Sequence, residues 1–327
     1  MKAAVVNARG APPVYSDFDE PVATPDHHRV EVSACALSHV TRSRAAGSHY
    51  SSAEGYPFVA GVDGTGRLDN GQRVYFFKPR APFGAMAELS LVPQDHCIAL
   101  PDALDDITAA AIAIPGMSSW AALVERARFV AGETVLINGA TGASGRLAVQ
   151  IAKHLGAGRI VATGRNAAAL ESLKLAGADI TISLEQDDDA LNQAFESQFQ
   201  QGVDVVLDYL WGASAERLLL AAARASAEDY PVRFVQIGAI SGANIQLDAA
   251  VLRAKAIVLL GSGMGSIAMP RLLDTMKKVF DAAIPTGLQL AIQAVPLAAL
   301  SQHWDNVDGR QRTVFVPDGL LPMADEH

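Results

Sequence analysis

Residues 134–166 read TVLINGATGASGRLAVQIAKHLGAGRIVATGRN, and this stretch decides the fold. Thr134–Asn138 is a short, β-rich apolar run. Gly139, Gly142 and Gly145 follow at three-residue spacing. Leu147, Ala148, Ile151, Ala152 and Leu155 then recur at the spacing of one helix face. Ile160-Val161-Ala162 opens a second strand. Strand, glycine turn, helix and strand make a βαβ unit. Its first turn suits a pyrophosphate: glycines allow a tight turn and close backbone approach, and the helix N-terminus favours an anion. Gly139, Thr141, Gly142, Ala143, Ser144 and Gly145 are the expected cradle.

The second strand selects the nucleotide. An NAD-type site wants an acidic residue about 20 positions beyond the glycines, to accept from the ribose 2′-OH. Arg165 stands there, and Thr163-Gly164-Arg165-Asn166 holds no carboxylate. A carboxylate would repel a 2′-phosphate, whereas a guanidinium pairs with one bidentately. The expected cofactor is NADPH, held by Thr163, Gly164, Arg165 and Asn166.

Working outward, the 327 residues suffice for two domains. Net charge is −9, with no basic cluster to suggest nucleic acid or anionic lipid. No run of about 18 uncharged apolar residues is read in the chain, so no membrane span is expected. The start, MKAAVVNARGAPP, has no apolar signal-peptide core. Cys35 and Cys97 make no disulfide framework, so a reducing cytoplasm is the expected compartment. Asp187-Asp188-Asp189 reads as a solvated helix start.

Residues 1–115 hold short β-like runs broken by Gly and Pro: Lys2–Asn7, His28–Ala36, Gly71–Phe77 and Ala87–Val92. They suggest a barrel-like β domain. Residues 116–260 alternate strand and helix, with strands expected at 134–139, 159–164, 180–184, 203–209, 232–238 and 257–261. Helical stretches include Ala167–Ala176 and Ala213–Ala227. This is the pattern of a doubly wound parallel sheet. In residues 261–327 a helix follows Pro270, and a late strand, Arg312–Val316, is expected to return to the first domain.

Several segments together resemble the medium-chain dehydrogenase/reductases, and within them the zinc-free, quinone oxidoreductase-like branch. They are Ile114-Pro-Gly-Met-Ser-Ser-Trp-Ala-Ala-Leu123, Pro57-Phe-Val-Ala-Gly-Val-Asp-Gly-Thr-Gly66, Gly84-Ala-Met-Ala-Glu88, Gly177-Ala178-Asp179, Asp208-Tyr-Leu-Trp-Gly212 and Gln236-Ile-Gly-Ala-Ile-Ser-Gly242. The resemblance runs nearly end to end. It implies a GroES-like β-barrel domain, a doubly wound Rossmann domain and a cofactor cleft between them. It also implies a homodimer paired through strand 257–261. Ser118 would lie near the carboxamide of the cofactor, and Gly238 and Ala239 in a later cofactor loop.

Zinc members of that family use Cys, His and Glu or Asp. Here Ser38 and Val62 stand at two of those places, and the four-cysteine lobe is missing; no metal is expected. Without metal, reduction rests on hydride transfer from the nicotinamide. Candidates on the substrate side are Ser38 and Thr41, in place of the family's Asn and Asp, with His49 and Tyr50 as alternative donors to a developing oxyanion. The expected activity is zinc-independent NADPH-dependent reduction of a small-molecule quinone, enone or activated carbonyl. Two alternatives stand beside it: an NADPH-binding redox sensor or structural protein, and an enoyl-thioester reductase.

Overall fold

A computed structural model describes residues 1–49, 52, 55–306 and 311–320. The chain divides into two units, residues 1–114 with 280–327 and residues 115–279. The boundary lies inside a helix, between Val279 and Phe280, whereas the sequence pattern placed it at 260.

The first unit carries β1 (Lys2–Val6), β2 (Val14–Asp17), β3 (His27–Ala36), β4 (Phe58–Val59), β5 (Asp63–Leu68), β6 (Arg73–Phe77), β7 (Leu89–Pro93) and β8 (Cys97–Ala99). β2-β1-β4 form one antiparallel sheet, and β3 pairs with both β5 and β7 in another. The expected strand at Ala87 starts two residues later, and Ala87 makes only an isolated bridge to Ala3. Val30, Val32, Phe76 and Phe315 are buried between the sheets. Each side chain of that size contributes about 1.5–3 kcal/mol on burial. A short helix, α1 (His39–Ala45), follows β3.

α2 (Asp106–Ala121) leads into the second unit, and a wider π-helical segment, Ala122–Ala127, continues it. By length and hydropathy the helix Asp106–Ala127 could cross a membrane, which the sequence reading did not anticipate. Its apolar window is 72% buried inside the protein, as a core helix would be. Thr108, Ser118 and Ser119 interrupt it, so it does not read as one apolar run.

The second unit alternates β9 (Thr134–Asn138), α3 (Ala143–His154), β10 (Arg159–Gly164), α4 (Ala167–Ala176), β11 (Ile180–Ser183), α5 (Asp188–Gln200), β12 (Val205–Asp208), α6 (Gly212–Ala225), β13 (Val232–Gln236), α7 (Val251–Ala254) and β14 (Ile257–Gly261). All pairings are parallel, in the order β11-β10-β9-β12-β13-β14. Six parallel strands in that order form a doubly wound sheet whose strand order reverses between β9 and β12. Four strands end earlier than expected: β9, β11 and β12 by one residue and β13 by two. Ile237 and Gly238 leave β13 because both N–H groups turn onto the Asp208 carbonyl, at 2.8 and 3.2 Å. Asp187 caps α5 by accepting from Ala190 N–H.

α8 (Met269–Thr286) crosses the unit boundary. β15 (Ile292–Pro296), α9 (Leu300–His303) and β16 (Arg312–Val316) end the described chain. β16 pairs antiparallel with β3, with Val314 opposite Ala36, so the late strand does return to the first unit.

Candidate cofactor and substrate sites

The cradle in the second unit is built from three glycines with three different duties. Gly139, at φ +89°, makes the left-handed turn out of β9 that most side chains avoid. Gly145 allows close packing: a Cβ there would lie 2.4 Å from the Gly139 carbonyl oxygen. Gly142 has ordinary extended angles, φ −79° and ψ 168°, and a Cβ there would meet nothing nearer than 3.8 Å. The strain of the turn therefore sits at Gly139. Gly142, exposed at the N-cap of α3, leaves free the space a phosphate needs. Thr141 packs over Gly164, where a Cβ would come within 2.4 Å of its Cγ2.

A buried network locks the strand ends beneath this turn. Thr163 Oγ1 donates to Asn138 Oδ1 at 2.8 Å and accepts from Gly139 N–H at 3.2 Å. Asn138 Nδ2 donates to Asp208 Oδ1 at 2.8 Å and to Ser214 Oγ at 2.9 Å. Asp208 also accepts from the N–H groups of Leu210 and Trp211. Burial pushes the Asp208 carboxyl up, while Asn138 and the two amides pull it back. Trp211 is held at φ +59°, which a tryptophan adopts only when its surroundings enforce it. Asn138 and Asp208 thus tie together the ends of β9 and β12, where the strand order reverses. The sequence reading saw Asn138 only as a strand end.

Arg165 is exposed just past β10 and belongs to no ion pair among the described residues. Asn166 has a different duty: its Oδ1 accepts from Ala169 N–H at 2.9 Å and caps α4. A second cation lies nearby. Arg146 Nε donates to the Thr141 carbonyl and a terminal nitrogen to Ser172 Oγ, both at 3.1 Å, so it ties the turn to α4.

Ser118 Oγ donates to the Pro115 carbonyl at 3.0 Å. Its neighbour Ser119, missed by the sequence reading, is better connected. Ser119 Oγ lies 2.9 Å from the carbonyls of Pro115 and Ser144, and 2.8 Å from the Tyr209 hydroxyl. The Ser119 and Tyr209 hydroxyls thus share a hydrogen bond in which either oxygen can be the donor. The signal for Tyr209 was its place just past β12, at the carboxyl end of a parallel sheet where ligands bind. Gly238 passes close behind it; a Cβ there would lie 2.6 Å from the Tyr209 carbonyl oxygen. Ala239 is exposed on the same loop.

In the first unit, Ser38 is buried and occupied as a cap. Its Oγ accepts from Thr41 N–H at 3.0 Å and shares a hydrogen bond with Thr41 Oγ1 at 2.9 Å. Ser38 is the N-cap of α1. Ser38→Ala should cost about 1 kcal/mol of stability, read by urea unfolding; slowed turnover at unchanged stability would restore its catalytic assignment. His49 is half-buried, and burial together with the charge of Arg44 pushes its imidazole below the ordinary range. Both effects favour the uncharged imidazole over the imidazolium. Tyr50 lies outside the described residues.

The zinc question turns on donors. Val62, at a ligand position, is aliphatic and buried. Asp63 beside it is buried against Tyr75, whose hydroxyl donates to it at 3.1 Å. Burial raises the Asp63 carboxyl to about 7, against the opposing charge of Arg312 and the Tyr75 hydrogen bond. Among the described residues no three His, Cys, Asp or Glu gather. A zinc ion needs three or four such donors, and these residues do not fit one.

The family described as zinc-binding dehydrogenase matches residues 143–278, the nucleotide half. The probable NADPH-dependent quinone reductase tdiC of Emericella nidulans is 27% identical, over 97% of this chain and 100% of that protein. The trans-enoyl reductase pgmF of Aspergillus terreus is 30% identical over 40% of this chain and 37% of its own length. Among solved structures, the Thermus thermophilus quinone oxidoreductase shares the fold with a TM-score of 0.81, at 24% identity, covering 97% of this chain and 100% of that one. The fold, the glycine cradle and these likenesses define a nucleotide-binding oxidoreductase fold. These likenesses support a medium-chain dehydrogenase/reductase of the quinone oxidoreductase-like branch.

Proposed function

We propose that this protein is an NADPH-dependent reductase of quinones, enones or other activated carbonyls, and that it works without zinc. The carrying observation is the carboxylate-free end of β10, where exposed Arg165 follows Gly164, the residue that packs against Thr141 of the glycine cradle. The relatives named for NADPH and quinone support the same reading. In this reading residues 1–115 form the substrate side and residues 116–260 the cofactor side. NADPH, when bound, supplies the hydride equivalent. Gly142, Ala143 and Ser144 offer backbone N–H groups to its pyrophosphate; Arg165 pairs with its 2′-phosphate; Ser118 with Ser119 and Tyr209 orient its carboxamide end. On the substrate side, the His49 imidazole N–H or the Tyr50 hydroxyl donates to the oxygen that gains charge. The two free cysteines are compatible with a reducing cytoplasm.

The trans-enoyl reductase likeness gives the enoyl-thioester reading a specific support. Product analysis separates the two: incubation with NADPH and an equimolar mixture of a quinone and an enoyl thioester should yield hydroquinone first. Exclusive saturation of the thioester would select the other reading.

The edge position of β14 supports a homodimer. Val258 and Leu259 are exposed there, 45% and 37%, on an apolar strand with one open side. An open apolar edge invites pairing, and a two-fold axis satisfies its backbone groups. Light scattering should give a dimer mass for wild type and a monomer for Val258→Pro, which removes a ladder donor. A wild-type monomer at micromolar concentration would exclude this assembly.

A further inference from the structure

A cleft in the first unit brings two cations together on apolar walls. Arg44, from α1, and Lys78, just past β6, both line it, with Phe58, Val59, Pro82 and Phe83 as the surrounding apolar surface. Both cations are partly buried, and neither joins an ion pair among the described residues. Burial pushes each below its ordinary range, and Arg44 pushes Lys78 further. Two like charges half-withdrawn from water are a costly arrangement unless an anion completes it. The backbone holds Lys78 there under strain: its φ is +50°, and its N–H donates to the Val62 carbonyl at 2.7 Å. Non-glycine residues in that region cluster at ligand clamps. Thr41, beside the Ser38 cap, and Val62 line the same cleft, so it opens on the wall already assigned to substrate.

We infer that Arg44 and Lys78 bind an anionic group of the substrate, so that the preferred substrate is an acidic enone or quinone, a flat apolar body carrying a carboxylate. The inference rests on the substrate side lying in this unit, as in the reading above. The cavity is about 40 Å³, room for the carboxylate, which the guanidinium and the ammonium receive through charge-assisted hydrogen bonds, while the apolar body lies outside it against the partly exposed Phe58 and Phe83.

The test uses one scaffold in two charge states: 4-(3-oxobut-1-enyl)benzoic acid and its methyl ester, with NADPH. Wild type should prefer the acid by about tenfold or more in kcat/KM, carried mainly by KM. In Arg44→Gln/Lys78→Gln the acid-to-ester ratio should collapse to near one. A double variant that keeps the wild-type ratio overturns the inference. So does a rise in the KM for NADPH at an unchanged ratio, which would assign the cations to the dinucleotide. Calorimetric titration of both compounds into the protein separates this question from turnover. Acid binding lost in the double variant supports the site even if neither compound is reduced, in which case only the reductase reading fails. Equal affinity of wild type for acid and ester overturns it.

Discussion

Gly142→Val is expected to abolish NADPH binding while the protein stays folded. The argument rests on what surrounds that position. Gly142 has backbone angles any residue adopts, and an added Cβ would find its nearest neighbour, the Gly139 carbonyl oxygen, at 3.8 Å. Valine therefore costs the cofactor-free protein little. The space it fills is the space in front of the α3 N-terminus, where a pyrophosphate would meet the backbone amides. Kd for NADPH should rise by at least about a hundredfold, equivalent to ~2.7 kcal/mol, with the unfolding midpoint nearly unchanged. Gly145→Val is the contrast: its Cβ would strike the Gly139 oxygen at 2.4 Å and the Ala140 Cα at 2.5 Å, so it should damage the fold itself. Isothermal titration beside urea unfolding reads both. Normal NADPH binding by Gly142→Val would move the phosphate elsewhere.

Arg165→Ala is the second large effect. The guanidinium is exposed and belongs to no ion pair among the described residues, so its removal disturbs no internal contact. Loss of a charge-assisted pairing with the 2′-phosphate should cost about 1.5–3 kcal/mol, roughly 10- to 150-fold in Kd. NADH lacks that phosphate, so its affinity should stay as in wild type and the cofactor preference should shrink by the same factor. Equal NADPH affinity in wild type and variant would remove Arg165 from the site. Attention would then pass to Arg146, which is anchored to Thr141 and Ser172 on the same side of the turn.

The second unit was largely legible in the sequence because its information is local. Each strand is a short apolar run, α4 and α5 carry their own N-caps, Asn166 and Asp187, and Ala167–Ala176 matches α4 at both ends. The glycine duties were legible only as a group. Separating strained Gly139 from tight Gly145 and open Gly142 needs backbone angles and the distance to β9, which spacing alone does not encode. Strand ends at Asp208 and Gln236 were missed because a hydrogen-bonded turn, not residue type, terminates them.

The barrel side was read less well. Ser38 drew notice through the family position it occupies, but its hydroxyl completes the cap of α1, a duty Ser performs at many helix starts. Ser119 and Tyr209 are 90 positions apart, and only the sheet brings them within hydrogen-bond reach. The Arg44 and Lys78 cleft was invisible for the same reason: a helix residue and a post-strand residue 34 positions apart share it.

The most direct measurement of the central claim is NADPH oxidation by protein stripped with a strong chelator and verified metal-free by elemental analysis. A panel of quinones and enones provides the oxidants. The account predicts oxidation of NADPH at the rate of untreated protein, with NADH far less effective. Activity lost on stripping and restored by added zinc, or no NADPH oxidation by any member of the panel, would contradict it.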